Sequence, residues 1–264
     1  MNNAFSFVPL SNALYKRLSQ LHDKKFRKEY KQFIVSGDKL VRELLVSGLK
    51  IDYIIAEAGW LQEIDKRAVQ RYTCYAVDEA VLKKLSGQVT PNRVMAVLPL
   101  FAHAKAVLPS KNERIIALDC IQDPGNLGTI IRLADWFGID HIVCSNDCAD
   151  FYNPKVIQST MGAFLRVKVH YTNLESYLQE ARNANVPVYG AFLKGENIYN
   201  ASLAKQAIIV MGNESKGISD KIGSYVTQSI TIPSFRVGGA GSESLNVAVA
   251  TAIICSEFAR QSML

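Results

Sequence analysis

The chain has 264 residues, 48% hydrophobic and 20% charged, with a formal net charge of +6, the profile of a globular protein of one or two domains. No apolar run reaches the roughly 18 residues that span a bilayer, and Met1-Asn2-Asn3-Ala4-Phe5 lacks the charged-then-apolar start of a secretion signal, so the sequence reads as cytoplasmic with no membrane partner. The five cysteines are odd in number and scattered, which predicts reduced thiols; Cys144 and Cys148 have no second pair of ligands nearby, so no metal is predicted.

Residues 1–109 carry 17 Lys and Arg against 10 Asp and Glu, and residues 110–264 carry 13 against 14, so the basicity belongs to the N-terminal part. It gathers in a helical stretch with Lys16, Arg17, Lys24, Lys25, Arg27, Lys28 and Lys31, interleaved with Tyr15, Phe26 and Tyr30. Such a surface suits RNA, the alternative being a solvated helix face. Next come a strand at 32–35, a helix at 39–47 ended by Gly48, a strand at 51–56, a helix at 61–69, a strand at 73–77, a helix at 79–85 and a strand at 93–98. This alternation predicts a compact α/β module. It shows no paired carboxylates and no nucleophile beside a base, so its expected role is binding. The aperiodic run from Phe101 to Asn112, which contains Pro109, separates domains of 1–105 and 110–264; His103 within it reads as a surface residue.

A second α/β series follows, with strands at 115–118, 141–144, 167–169, 187–191, 208–211 and 229–232. Its loops carry the unusual residues. Asp119 to Thr129 leads into a helix with Asn126 as the expected N-cap and Ile130, Leu133, Ala134 and Phe137 as its buried stripe. Arg132 falls off that stripe, placed to grip an anion or a neighbouring subunit, or else solvated. After an apolar strand, Gly212-Asn213-Glu214-Ser215-Lys216-Gly217 sets a carboxylate between glycines where open α/β sheets bind ligands. Neither this loop nor Gly239-Ala240-Gly241 has dinucleotide or phosphate-loop spacing, which disfavours nicotinamide and nucleoside-triphosphate enzymes. The last helix is apolar from Val247 to Cys255 except at Thr251, as if buried all round, in a core or between subunits.

Three elements in order, Asn126-Leu127-Gly128 with Arg132, Gly212-Asn213-Glu214 with Gly217, and Ile232-Pro233 leading to Ser244-Leu245-Asn246, resemble the motifs of the SpoU (TrmH-like) RNA 2'-O-ribose methyltransferases of the SPOUT superfamily. Ser159 to Arg166 resembles the segment between the first two motifs, and Phe33-Ile34-Val35-Ser36-Gly37 resembles the ribosomal-protein-like RNA-binding domain that many members carry. The resemblance implies an α/β methyltransferase domain with a deep trefoil knot, a homodimer, and S-adenosylmethionine as cofactor, held by Gly212, Ile232 and Leu245 largely through backbone groups. It makes Arg132 the main catalytic residue, reaching into the partner's site, with Asn126, Glu214, Ser244 and Asn246 positioning ribose, phosphate or loop. Lys24, Lys25, Arg27 and Lys28 are the expected RNA contacts, and the separate N-terminal domain favours ribosomal RNA. The alternatives are a tRNA 2'-O-methyltransferase and a catalytically silent RNA-binding protein of the same fold. Two departures from the family pattern stand out: the link Ser234 to Glu243 is several residues longer than usual, and Arg93 replaces a small residue.

Overall fold

The computed structural model describes residues 8–88, 92–102, 105–236 and 243–263; the Gly238–Gly241 run, His103, Thr90 and Pro91 lie outside them. The chain forms two units, Met1–Ala102 with Tyr152–Leu165, and His103–Phe151 with Arg166–Leu264. The stretch from Tyr152 to Leu165, expected in the C-terminal domain, therefore packs with the N-terminal residues. Aromatic contacts hold it there: the Tyr152 ring lies 4.9 Å from that of Phe33, and its hydroxyl accepts from the Phe101 N–H at 2.9 Å.

In the first unit the basic stretch is two helices, α1 (Asn12–Ser19) and α2 (Lys24–Tyr30), around a 3-10 turn. Asp23 breaks the run because its carboxylate caps α2, accepting from the Lys25 N–H at 2.7 Å. Lys24, Lys25 and Lys28 are exposed. Arg27, expected beside them as an RNA contact, is only 2% exposed and donates to the carbonyls of Leu21 at 2.9 Å and His22 at 2.7 Å. It satisfies the end of the 3-10 turn from inside and is not part of the basic face.

Then follow β1 (Gln32–Ser36), α3 (Asp38–Val46), β2 (Tyr53–Glu57), α4 (Ala58–Glu63), α5 (Lys66–Val69), β3 (Thr73–Val77), α6 (Glu79–Ser86) and β4 (Val94–Pro99). The single helix expected at 61–69 is split because Asp65 caps a new start, accepting from the Arg67 N–H. The sheet order is β1-β4-β2-β3, with only the β2–β3 pair parallel. Arg93 is held on the surface by Glu63 at 2.8 Å and Glu57 at 3.1 Å.

The second unit starts with β5 (Arg114–Leu118), α7 (Pro124–Trp136) and β6 (His141–Ser145). After α8 (Pro154–Thr160) of the first unit come β7 (Lys168–Thr172), α9 (Leu174–Asn183), β8 (Val188–Asn197), β9 (Ala207–Met211), α10 (Asp220–Gly223), β10 (Gln228–Thr231) and α11 (Val247–Ser262). All six strands are parallel, in the order β10-β8-β9-β5-β6-β7. A parallel sheet is covered on both faces, which explains why every residue of β9 is apolar and buried. From β5 the chain builds outward to β7, then crosses to the far side for β8 and returns to β9. The switch point thus lies between β5 and β9, and the loops leaving their carboxyl ends come side by side.

Helix α11 lies against α7. It is not buried all round: Val249 is 49% exposed, and Ala252 and Ile253 are half-buried, leaving an apolar strip uncovered in the single chain. Its C-terminal end is tied down by Gln261, which donates to the Ala201 carbonyl at 3.0 Å and accepts from the Leu203 N–H at 3.1 Å. Among the described residues no helix is long and apolar enough to cross a membrane.

Candidate functional site

The two loops at the switch point are sewn together by side chains. The Asp119 carboxylate, at the end of β5, accepts from the Ser219 N–H at 2.7 Å. Asn213, just after β9, donates from Nδ2 to the Cys120 carbonyl at 2.7 Å. Cys120 has φ +58, the left-handed region that non-glycine residues seldom occupy, and its N–H is held by the Ser145 hydroxyl at 2.9 Å. Burial pushes its thiol up to about 11, so it is a neutral wall rather than a nucleophile. The 212–217 loop folds back on itself: the N–H of each of Asn213 and Gly217 donates to the other's carbonyl at 2.9 Å. That reversal carries Gly212 so close to the Gly217–Ile218 peptide that a Cβ on Gly212 would lie 2.2 Å from two of its atoms.

Helix α7 begins earlier than the sequence suggested. Its cap is Asp123, accepting from the Asn126 N–H at 2.8 Å, with Pro124 at the start of the first turn. This frees the Asn126 side chain. Its Nδ2 donates to Glu214 Oε1 at 2.9 Å, and its Oδ1 accepts from Asn246 Nδ2 at 3.0 Å. Asn246 is meanwhile the cap of α11, its Oδ1 accepting from the N–H groups of Ala248 at 2.9 Å and Val249 at 3.3 Å. One hydrogen-bonded chain thus joins the three loops that bear the sequence motifs, and brings Asn126, Glu214 and Asn246 together.

The other expected site residues stand outside that chain. Gly212 is buried beside it, Ile232 is half-buried just past β10, and Ser244 and Leu245 are exposed immediately before Asn246, Leu245 by 50%. Arg132 is exposed, with no side-chain hydrogen bond or ion pair among the described residues. Six residues beyond Asn126, it lies about 9 Å along α7 and about 120° round it, on a different face of the helix. Trp136, one turn further on the same face, is 82% exposed.

A groove of about 580 Å³ opens at the carboxyl ends of β5, β6 and β9, lined in part by Cys120, Asp147, Asn213, Lys216 and Ser219. The Ser145 hydroxyl keeps the Asp147 carboxyl below its ordinary value. The sequence reading names Asn213 within the second motif but gives neither it nor Asp123 a role. An Asn at the start of a short polar run between glycines is an Asx-turn signal, and Asp-Pro ahead of an apolar periodicity is a helix start.

Residues 113–256 match the model of the SpoU rRNA methylase family, and residues 12–96 match that of the MRM3-like substrate binding domain. The chain is 30% identical over 245 residues to 23S rRNA (guanosine(2553)-2'-O)-methyltransferase RlmP of Bacillus subtilis, a span covering 92% of this chain and 94% of that one. A structure from Porphyromonas gingivalis assigned to the TrmH family of RNA methyltransferases superposes with a TM-score of 0.86 at 38% identity, covering 96% of this chain and 100% of the other. The AdoMet-bound rRNA methyltransferase from Sinorhizobium meliloti gives 0.84 at 29% identity, with 98% of each chain covered.

Proposed function

Because the chain belongs to the SpoU rRNA methylase family, we propose that it transfers a methyl group from S-adenosylmethionine to a ribose 2'-hydroxyl of ribosomal RNA. The observation that carries this reading is the Asn126–Glu214–Asn246 chain of hydrogen bonds, which assembles three distant motif loops at the carboxyl end of a parallel sheet. The relative from Bacillus subtilis, similar over nearly the whole chain, is named for 23S rRNA, which favours ribosomal RNA over tRNA. The presence of Arg132, Glu214, Ser244 and Asn246 favours an active enzyme over a silent RNA-binding protein.

The residues present suit the cofactor. Ile232 and Leu245 offer apolar surface, which suits a neutral adenosine rather than a chain of phosphates. Gly212, Ile232 and Leu245 would hold it. When bound, S-adenosylmethionine supplies an activated methyl group. The chain's own task is to hold the ribose and to stabilise negative charge as it grows on the 2'-oxygen. Arg132 fits the second role, because a guanidinium stays protonated and offers several donors. Asn126, Glu214, Ser244 and Asn246 position the ribose and the loops.

Arg132 is exposed and lies on a different face of α7 from Asn126, so we assign it to the network of a second copy in a homodimer. The exposed Trp136 on the same helix face and the uncovered strip on α11 supply apolar surface for that interface. The knot belongs to the same reading: α11 follows the edge strand β10 yet packs on α7, which follows central β5, and its far end is fastened to Ala201 and Leu203. Residues 1–105 would recruit RNA and residues 110–264, apart from the Tyr152–Leu165 stretch that packs in the first unit, carry the chemistry, in the cytoplasm.

The test is transfer of labelled methyl from S-adenosylmethionine to ribosomal RNA, followed by digestion to nucleosides. Label in a 2'-O-methylnucleoside supports the proposal; label on a base, or none, sinks it. In the same assay, replacing Lys24, Lys25 and Lys28 together by alanine should raise KM for RNA about 10-fold or more at moderate salt and flatten its salt dependence, with kcat little changed. Unchanged KM would remove α2 from the RNA-binding face.

A further inference from the structure

The geometry points to Asn213 as the residue that positions the Glu214 carboxylate and, through it, the Asn126–Asn246 pair; this rests on the methyltransferase reading above. The Asn213 amide makes two different kinds of contact with its two ends. Its Oδ1 accepts from the N–H groups of Ser215 at 3.0 Å and Lys216 at 3.1 Å, which fixes the loop locally. Those two backbone donors leave the amide only one orientation, with Nδ2 turned toward β5. Nδ2 then donates to the Cys120 carbonyl at 2.7 Å and lies 3.4 Å from Glu214 Oε2.

The consequence runs along the whole chain of side chains. With Oε2 facing Asn213, Oε1 of Glu214 is presented to the Nδ2 of Asn126, which turns Asn126 Oδ1 toward the Nδ2 of Asn246. The far end is fixed as well, because Asn246 Oδ1 is committed to the first turn of α11. Every amide in the sequence Asn213, Asn126, Asn246 therefore has its polarity set by backbone groups at one end or by the carboxylate between them. Removing the Nδ2 donor alone frees the carboxylate to turn and leaves the Cys120 carbonyl, in its left-handed turn, without this side-chain donor.

Asn213→Asp separates the two jobs of this residue. An aspartate keeps the acceptor for Ser215 and Lys216, so the loop is retained, but it replaces the donor with an oxygen that repels the Cys120 carbonyl and the Glu214 carboxylate. On acidification the new carboxyl gains an O–H and becomes a donor again. The titratable groups around position 213 are Glu214, Cys120, whose Sγ is 4.0 Å from Nδ2, and Asp119, Asp147, Glu175, Lys216, Asp220 and Lys221 along the same groove. These are common to the wild type, so activity is read as the ratio of variant to wild type at each pH.

The experiment measures kcat, KM for S-adenosylmethionine and melting temperature for the full-length wild type, Asn213→Asp and Asn213→Ala. At about pH 8 the Asp variant should show kcat about 100-fold below wild type with KM for the cofactor within about threefold, the scale of a misplaced catalytic group. The ratio should recover at least about fivefold on moving to about pH 5, where roughly 7% of an aspartate of ordinary pKa is protonated. Asn213→Ala, which also loses the loop bonds, should lose kcat, raise KM and show no recovery. A pH-independent ratio for the Asp variant, or raised KM with unchanged kcat in both variants, would reduce Asn213 to a loop-forming residue. An inactive wild type would instead overturn the methyltransferase reading itself, so the two failures are told apart.

Discussion

Replacing Arg132 by alanine is expected to lower kcat for 2'-O-methyl transfer by about 10³-fold, the upper end of what one donor to a developing oxyanion contributes, while cofactor affinity stays within about threefold. Arg132→Lys keeps the charge but not the planar fork, so it should recover only part of the loss. The informative measurement mixes chains. If Arg132 serves the network of the partner, a dimer of one Arg132→Ala chain and one Glu214→Ala chain has one fully competent site: the intact Glu214 of the first chain faces the intact Arg132 of the second. The other site lacks both. Random pairing makes half the dimers mixed, so the mixture should regain about a quarter of wild-type activity from two inactive preparations. If Arg132 acts within its own chain, every site in every dimer lacks one residue and mixing restores nothing. The exposure of Arg132, without a partner group among the described residues and about 120° round α7 from Asn126, is the reason to expect recovery.

The same helix shows what the sequence could and could not disclose. Strand positions in the second unit were legible because a parallel sheet demands short apolar runs, and β9 is one from Ala207 to Met211. Their order was not, because nothing in a run of valines and isoleucines says which neighbour it takes; only the observed order places the loops after β5 and β9 side by side. Asn126 read as a cap because Asn-Leu-Gly precedes an apolar stripe, yet Asp123 with Pro124 had the stronger claim and left Asn126 free for Glu214. Arg27 was indistinguishable in composition from Lys24, Lys25 and Lys28. Its burial follows from a 3-10 turn whose carbonyls need a donor, and that turn leaves no periodic trace. In α11 the sequence is apolar from Val247 to Cys255 except at Thr251, so it announces burial but not by what; the strip at Val249 and Ile253 is uncovered in the single chain.

Gly212→Ala should be the most damaging small substitution in the second unit. The added methyl would meet the carbonyl carbon of Gly217 and the nitrogen of Ile218 at 2.2 Å, and both are backbone atoms that cannot rotate aside. The loop has to open, which breaks the paired hydrogen bonds between Asn213 and Gly217 and moves Glu214 away from Asn126. Overpacking of this kind costs about 3 kcal/mol or more, so melting should fall by several degrees and cofactor binding by calorimetry should weaken at least about 100-fold, since the displaced segment is the one proposed to hold it. Gly217→Ala is the control at the other end of the same loop. There φ is +70 but a Cβ meets nothing within 4 Å, so the strain is that of a left-handed alanine alone, about 1 kcal/mol, and the loop can keep its path. Cofactor affinity within about threefold of wild type is expected for Gly217→Ala, the small loss that such strain alone entails. Equal effects from both substitutions would mean that cofactor binding depends on loop flexibility rather than on the close approach at Gly212, and no effect from Gly212→Ala would take this loop out of the cofactor site.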